Sequence, residues 1–387
     1  GGVVHCIELA EALTRQGHDV TLLAPARRGQ VLFRTTHCTV RLIEDDGVHD
    51  SSLLDLVQQR IALFERYLSQ PGHADYDVFH VHDGIGANAL LNLRKRGLIP
   101  HYVRTVHHLD HYGNVDVDAL EHRSIVSADA VLTVSPSWNE ELQARLGVQA
   151  ISVSNGVDLQ RFSPQVGARD EALRLRLGLG KGSRNGESTA PIFLCVGGIE
   201  ARKNTLAALE AFARVRHDLH DAQLVIAGGA SLLDHSTYRV LFDAAAARHD
   251  LDIAPGGPVM VTGVLDDEDM AALYRLADCL VFPSIIEGFG LAIIEAMASG
   301  TPTIVSKMRP FTDFLGARDC IWVNQEDAEA IAQGMCHALM PGRRDALIAN
   351  GHAVAARFDW DRSAEEHIHV YRGLTHRAHS NKEFIHA

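Results

Sequence analysis

The stretch SIIEGFGLAIIEAMASG, residues 284–300, puts Glu287 just ahead of Gly288, Phe289 and Gly290, and Glu295 within the helical pattern that opens at Leu291. The apolar run CLVFP before it predicts a buried strand, so the glycines lie at that strand's C-terminal end. Ligands of open α/β sheets sit just outside such ends. Gly288 and Gly290 let main chain approach an anion closely, and the first N–H groups of the following helix point into the same loop. These parts make a phosphate site without any basic side chain. A carboxylate beside a phosphate is repelled, so both glutamates are expected to reach past it to hydroxyls. A nucleotide-diphospho-sugar has hydroxyls on both sides of its diphosphate: Glu295 is expected on the ribose and Glu287 on the sugar. Each hydrogen bond to a charged group contributes about 1.5–3 kcal/mol. The glutamate spacing alone would equally fit a solvated helix face and a loop charge. The succession of strand, Ser284, Gly-Phe-Gly and helix is what favours the site.

The elements that must hold such a site recur along the chain. Strands are expected at 20–24, 78–81, 102–106, 130–134 and 151–153, and in a second block at 192–198, 223–229, 259–263, 279–283 and 302–306. Cys6, Leu9, Ala10 and Leu13 form one helical stripe, with Gly17 suited to the C-terminal cap. Ser137 and Glu140 read as a capping box, and a helix is expected from about Thr205. Strand–helix alternation in two blocks predicts two doubly wound α/β domains with parallel sheets. The seam is expected in SNGVDLQRFSP, residues 154–164, where a strand ends on a turn pair. The glycine-rich run GLGKGSRNGESTAP, 178–191, precedes a strand and opens no helix, so it is expected to be a surface loop rather than a phosphate loop. A doubly wound domain ordinarily opens on a central strand, whereas this chain opens on Gly1-Gly2 and a helix. The expectation is a truncated N-terminus, with the first strand missing from the middle of the N-terminal sheet.

Bulk properties narrow the function. The 387 residues suffice for two domains, and the apolar fraction of 46% is that of an ordinary globular chain. A net charge of −13 disfavours general nucleic-acid binding, which needs clustered cations, without excluding a local pocket for a small anion. The short cluster Arg94-Lys95-Arg96 reads as a solvated face. No run approaches a membrane span. Six cysteines without paired spacing point to a reduced, cytoplasmic setting, with at most a peripheral place at the inner face of a membrane.

Two histidine groups raise alternatives. His80 and His82 end a strand as His-x-His, a spacing used by metal-dependent hydrolases, but a barrel of that kind fits the two-block pattern poorly. His107 ends another strand, and His108 and His111 nearby read as surface residues. Asp359-Trp360-Asp361 is too short to imply a metal and opens a helix, where acidic residues are favoured.

Taken in order, the motifs resemble the retaining glycosyltransferases of the GT-B fold, family 4 (glycosyl transferases group 1) of bacterial type. The resemblance rests on Glu287 and Glu295 with seven residues between, GGVVHCIELAEALTRQGHDVTLLAP at the start, VSNGVDLQRFSP, FLCVGGIEARKNTLAALEAF and FDWDRSAEEHIHVYRGL. It covers nearly the whole chain. It implies two Rossmann-like domains facing across a cleft: residues 1–161 plus 358–377 on the acceptor side, and 162–357 for the donor. It implies Arg202 and Lys203 neutralising the diphosphate leaving group, which accords with the charge that builds there. Gly198 stands where many members carry the arginine, so Arg202 is taken as its substitute. By the same resemblance His107 lies near the transferred sugar, Gly1 and Gly2 in a phosphate or acceptor loop, and Gly263 and Val264 near the base, with Glu295 and the 288–291 segment holding the donor. The catalytic set is thus His107, Glu287, Arg202 and Lys203. The implied partners are a nucleotide-sugar donor and a small-molecule, sugar or lipid acceptor, with no cofactor and no metal. A nucleotide-sugar-binding protein without catalysis and, further off, a metal-dependent hydrolase are the alternatives.

Overall fold

The computed structural model describes residues 1–45, 52–180, 190–229 and 236–383. Most of the 178–191 run, expected as a surface loop, lies outside them. The chain divides into two compact units, Gly1–Gly156 with Asp359–Ala387, and Val157–Phe358. The first seam falls inside SNGVDLQRFSP. Among the described residues no helix is long and apolar enough to cross a membrane.

In the first unit, β1 (Thr21–Ala26) and β2 (Thr39–Glu44) form one parallel pair. β3 (His80–Val81), β4 (Val103–Val106), β5 (Ala130–Thr133) and β6 (Ile151–Ser152) form a second parallel sheet in that order. Among the described residues no ladder joins the two. Helix Gly2–Arg15 turns Ile7, Leu9, Ala10, Ala12 and Leu13 inward. Gln16 ends the helix and Gly17 follows at φ +89° as the expected glycine of the C-terminal cap, its N–H donating to the Thr14 carbonyl at 3.0 Å and the His18 N–H to the Leu13 carbonyl at 3.1 Å. Helix Pro136–Leu146, by contrast, is capped by Ser135, ahead of the expected Ser137, because Pro136 fits the first helical position. Arg94 is not merely solvated: it pairs with Asp129 at 2.5 Å and lies over the Tyr102 ring.

The last helix, Trp360–Glu383, completes this unit. Asp359 accepts from the Asp361 N–H at 2.6 Å at its start. Glu366 accepts from the N–H and hydroxyl of Ser154, and Ser363 donates back to the Ser154 carbonyl at 2.6 Å. Below them Val370 and Leu374 pack on Val103, Leu132 and Val153 of the sheet.

The second unit carries β7 (Ile192–Val196), β8 (Gln223–Ala227), β9 (Val259–Gly263), β10 (Cys279–Phe282), β11 (Thr303–Ser306) and β12 (Ile321–Val323). They form one parallel sheet, ordered β12-β11-β10-β7-β8-β9. Strand β12 is a sixth strand that the sequence reading passes over. β8 and β10 are buried along their whole length, as a parallel sheet covered on both faces requires. In this order the chain winds one way from β7 and the other way from β10. The crevice beyond their C-terminal ends is therefore the place where a doubly wound sheet binds ligands.

Candidate functional site

Two loops meet at that crevice. After β7 come Gly197, Gly198 and the short turn Ala201–Lys203; after β10 comes 283–290, leading into helix Leu291–Ala298. They are fastened together where the Ile285 N–H donates to the Arg202 carbonyl at 2.8 Å. Ser306 donates its hydroxyl to the Ser284 carbonyl at 2.7 Å and steadies the second loop from β11.

Glu287 is the centre of charge. Its Oε1 accepts from Lys203 Nζ, and from Arg202 Nη1 at 3.3 Å. Arg202 Nε in turn pairs with the buried Glu200 at 3.0 Å. Burial alone would raise the Glu287 carboxyl. The charges of Lys203 and Arg202 and the hydrogen bond from Lys203 outweigh it and hold the group below the ordinary carboxylate range. Lys203 also lies over the Phe282 ring, 4.8 Å from its centroid. A Cβ on Gly197, where φ is +121°, would stand 2.5 Å from Lys203 Cε. Glycine there makes room for the lysine. The arrangement brings two cations together on one carboxylate, and Arg202 retains 32% exposure.

Gly290 caps helix Leu291–Ala298 at φ +101°, and a Cβ there would strike the Phe311 ring at 2.9 Å. The Phe289 side chain is packed inside its own unit. Its ring stacks on Phe314 at 4.7 Å and meets Phe358 edge-on at 5.3 Å, away from solvent. Gly288 and Leu291 are buried beside it. Glu295 accepts from the hydroxyl of the buried Tyr274 at 2.8 Å, a partner the sequence reading misses. Gly263 bonds the Gly228 N–H through its carbonyl at 3.0 Å, and Val264 beside it is 74% exposed. Cβ atoms on Gly198 or Gly228 would collide with each other's loop at 2.8–2.9 Å. The glycine pairs ending β7 and β8 therefore nest main chain against main chain and continue the rim from Lys203 to Val264. In the sequence these pairs show as CVGG and IAGG.

The remaining residues lie in the first unit. Gly2 opens its helix against His107: a Cβ there would sit 3.7 Å from His107 Cδ2. Gly1 precedes it as the cap. His107 belongs to a cluster of five histidines with His5, His80, His82 and His367, of which His5 and His367 are buried and the other three half-buried. His80 has both nitrogens engaged, Nδ1 with the Tyr371 hydroxyl and Nε2 with Thr105 Oγ1, each at 2.7 Å. His5 Nδ1 meets Asn155 Oδ1 at 2.6 Å, and His367 Nδ1 donates to the Ser363 carbonyl at 2.7 Å. Burial, then the neighbouring imidazoles, keep His80, His82 and His107 well below the usual histidine value and bring His5 down to about 3. Among the described residues no group of three or more side chains is arranged to hold a metal ion, and the His-x-His pair is part of this cluster instead. His108 and His111 pair with Asp110 and Asp118.

Comparison with known proteins bears on the family and the fold. A family model described as Glycosyltransferase Family 4 matches residues 1–161, and one described as Glycosyl transferases group 1 matches residues 182–353. The chain is 31% identical to a D-inositol 3-phosphate glycosyltransferase of Actinosynnema mirum, over 78% of this chain and 73% of that one. It is 27% identical to an uncharacterized glycosyltransferase of Methanocaldococcus jannaschii, over 96% and 94%. In fold it is similar to a sucrose-phosphate synthase from Thermosynechococcus elongatus, with a TM-score of 0.78, 23% identity, and coverage of 97% and 93%.

Proposed function

The chain belongs to the group 1, family 4 glycosyltransferases and is an enzyme of the GT-B fold, and from that premise we propose that it moves a sugar from a nucleotide-diphospho-sugar to an acceptor hydroxyl with retention of configuration. The observation that carries this reading is the meeting of Lys203 and Arg202 on Glu287 at the crevice beyond β7 and β10. The donor diphosphate lies against those cations and the main chain of 288–291. Glu287 and Glu295 accept hydroxyls of the sugar and the ribose, and Gly263 and Val264 border the base. His107, beside Gly1 and Gly2, addresses the sugar as a neutral imidazole.

In the transfer step, the acceptor oxygen bonds to the anomeric carbon as the bond from that carbon to the β-phosphate oxygen breaks. Attack comes from the face the leaving group departs, and the acceptor proton passes to the departing phosphate. The products are a glycoside and a nucleoside diphosphate. Lys203 and Arg202 offset the charge growing on that phosphate, and fixed cations of this kind supply several kcal/mol of transition-state stabilisation. The chemistry of the step asks for no metal. The acceptor is read as a polyol or its phosphate, in keeping with the name of the Actinosynnema relative.

Calorimetry with a panel of nucleotide-sugars, run beside a product assay with inositol phosphates as first acceptors, tests the reading. Saturable binding of a nucleotide-sugar and an α-linked product from an α-linked donor are expected. Binding without any turnover would select a binding protein instead, and an inverted product would sink the front-face step.

A further inference from the structure

We propose that His82 is a positioning residue: it holds His107 by Nε2, fixes one tautomer of that ring, and leaves Nδ1 as the nitrogen His107 turns toward a sugar hydroxyl. This rests on the reading of His107 given under the proposed function.

The geometry is specific to the pair. His82 Nδ1 and His107 Nε2 lie 3.3 Å apart. The ring planes differ by 26° with centroids at 5.5 Å. Face-to-face stacking brings rings closer than this; nearly coplanar rings with facing nitrogens make an edge-to-edge hydrogen bond. Gly2 lies beside that same edge of His107: a Cβ added there would stand 3.7 Å from Cδ2 and 3.8 Å from Nε2. The opposite edge, bearing Nδ1, is the one left to present, and the residue is only half-buried.

His82 is itself held in place. The His80 ring lies 4.2 Å from it and His5 5.2 Å from it. With both nitrogens committed to Tyr371 and Thr105, His80 cannot turn without breaking a bond. Burial keeps both members of the pair neutral. Between two neutral imidazoles one nitrogen donates and the other accepts, so the contact at Nε2 decides whether Nδ1 of His107 carries a proton. A sugar hydroxyl can complement either form, provided that the form is single.

The test is two-bond ¹H–¹⁵N spectroscopy of the full chain with labelled histidine, at pH 7.5. In the free protein the His107 nitrogens should show one pure tautomer. His82→Asn keeps an amide atom where Nδ1 stood and should preserve that tautomer; His82→Leu should give averaged shifts. An averaged His107 in the unsubstituted protein, or a pure tautomer persisting in His82→Leu, overturns the proposal. Since the first of these needs no variant, a misfolded His82→Leu does not rescue it. Titration with UDP-glucose and with GDP-mannose then reads the second half: the His107 Nδ1 resonance should move more than Nε2. Movement of Nε2 instead overturns the orientation. If neither sugar nucleotide binds at all, the sugar-facing role of His107 falls, while the lock on its tautomer, read in the free protein, stands.

Discussion

Lys203 makes the clearest claim among single residues, because it touches Glu287, the Phe282 ring and the space left by Gly197 together. Replacing it with alanine removes a charge-assisted hydrogen bond worth about 1.5–3 kcal/mol. Donor affinity should fall by roughly 10- to 100-fold in calorimetry, at 1.4 kcal/mol per factor of ten. An unchanged dissociation constant would remove Lys203 from the donor site. Gly197→Ala should give a related loss by another route, since its Cβ would displace the lysine and the backbone at φ +121° penalises a side chain by about 1–3 kcal/mol. Its signature is weaker donor binding together with a lower melting temperature. Of the expected site residues, Glu287, Arg202 and Lys203 were legible as types in loops that follow strands. Their mutual pairing was not, because Glu287 lies more than eighty positions from its cations and no local pattern reports such a contact. The Tyr274 and His82 contacts, spanning 21 and 25 positions, likewise join separate elements.

Helices and strands carry the second group of expectations. The last helix is fixed to the first unit by Leu374 and Val370 against the sheet and by Glu366 at Ser154. Leu374→Ala should therefore destabilise by about 2–4 kcal/mol, the usual cost of emptying a buried leucine site. For a unit of this size that is a shift of roughly 2–4 °C per kcal/mol in thermal unfolding. Arg372→Ala, on the exposed side of the same helix, should stay within about 0.5 kcal/mol. The histidine cluster ties helix Gly2–Arg15, β3 and the last helix into one acid-sensitive group. His5 sits near 3 and His367 near 4 in the folded chain, both lowered first by burial. Above about pH 6.5 neither state binds the proton and these groups add no pH dependence. As pH falls below that value the unfolded chain takes up protons that the folded chain refuses. Each histidine then removes up to about 1.4 kcal/mol per pH unit until its folded value is reached. Melting temperature should drop between pH 6.5 and 4.5, and His5→Gln should flatten the slope. A slope untouched by that substitution would assign the acid loss to other groups.

For the molecule entire, the expected consequence is ligand-linked stability. A nucleotide-sugar at 100 times its dissociation constant should stabilise the unit that binds it by about 2.7 kcal/mol. A melting screen over UDP-, GDP- and ADP-sugars should pick out one base, and a flat response to all of them would count against a donor site. The net charge of −13 makes the local cation pair at Glu287 the more telling, since it stands against the sign of the rest of the chain.

Period and punctuation alone specified much of this protein: buried apolar runs gave the strands, glycines after them gave ligand-side loops, and the two-block alternation gave two doubly wound units. Local steric and hydrophobic rules act within a few residues, so those features could be read without coordinates. The separate β1–β2 pair, the sixth strand β12, the Glu200–Arg202–Glu287–Lys203 chain and the five-histidine cluster all needed the fold. Each depends on contacts between separate elements, such as those from Glu287 to Arg202 and Lys203, and the free energy of such contacts comes from burial and charge that exist only once the sheets have assembled.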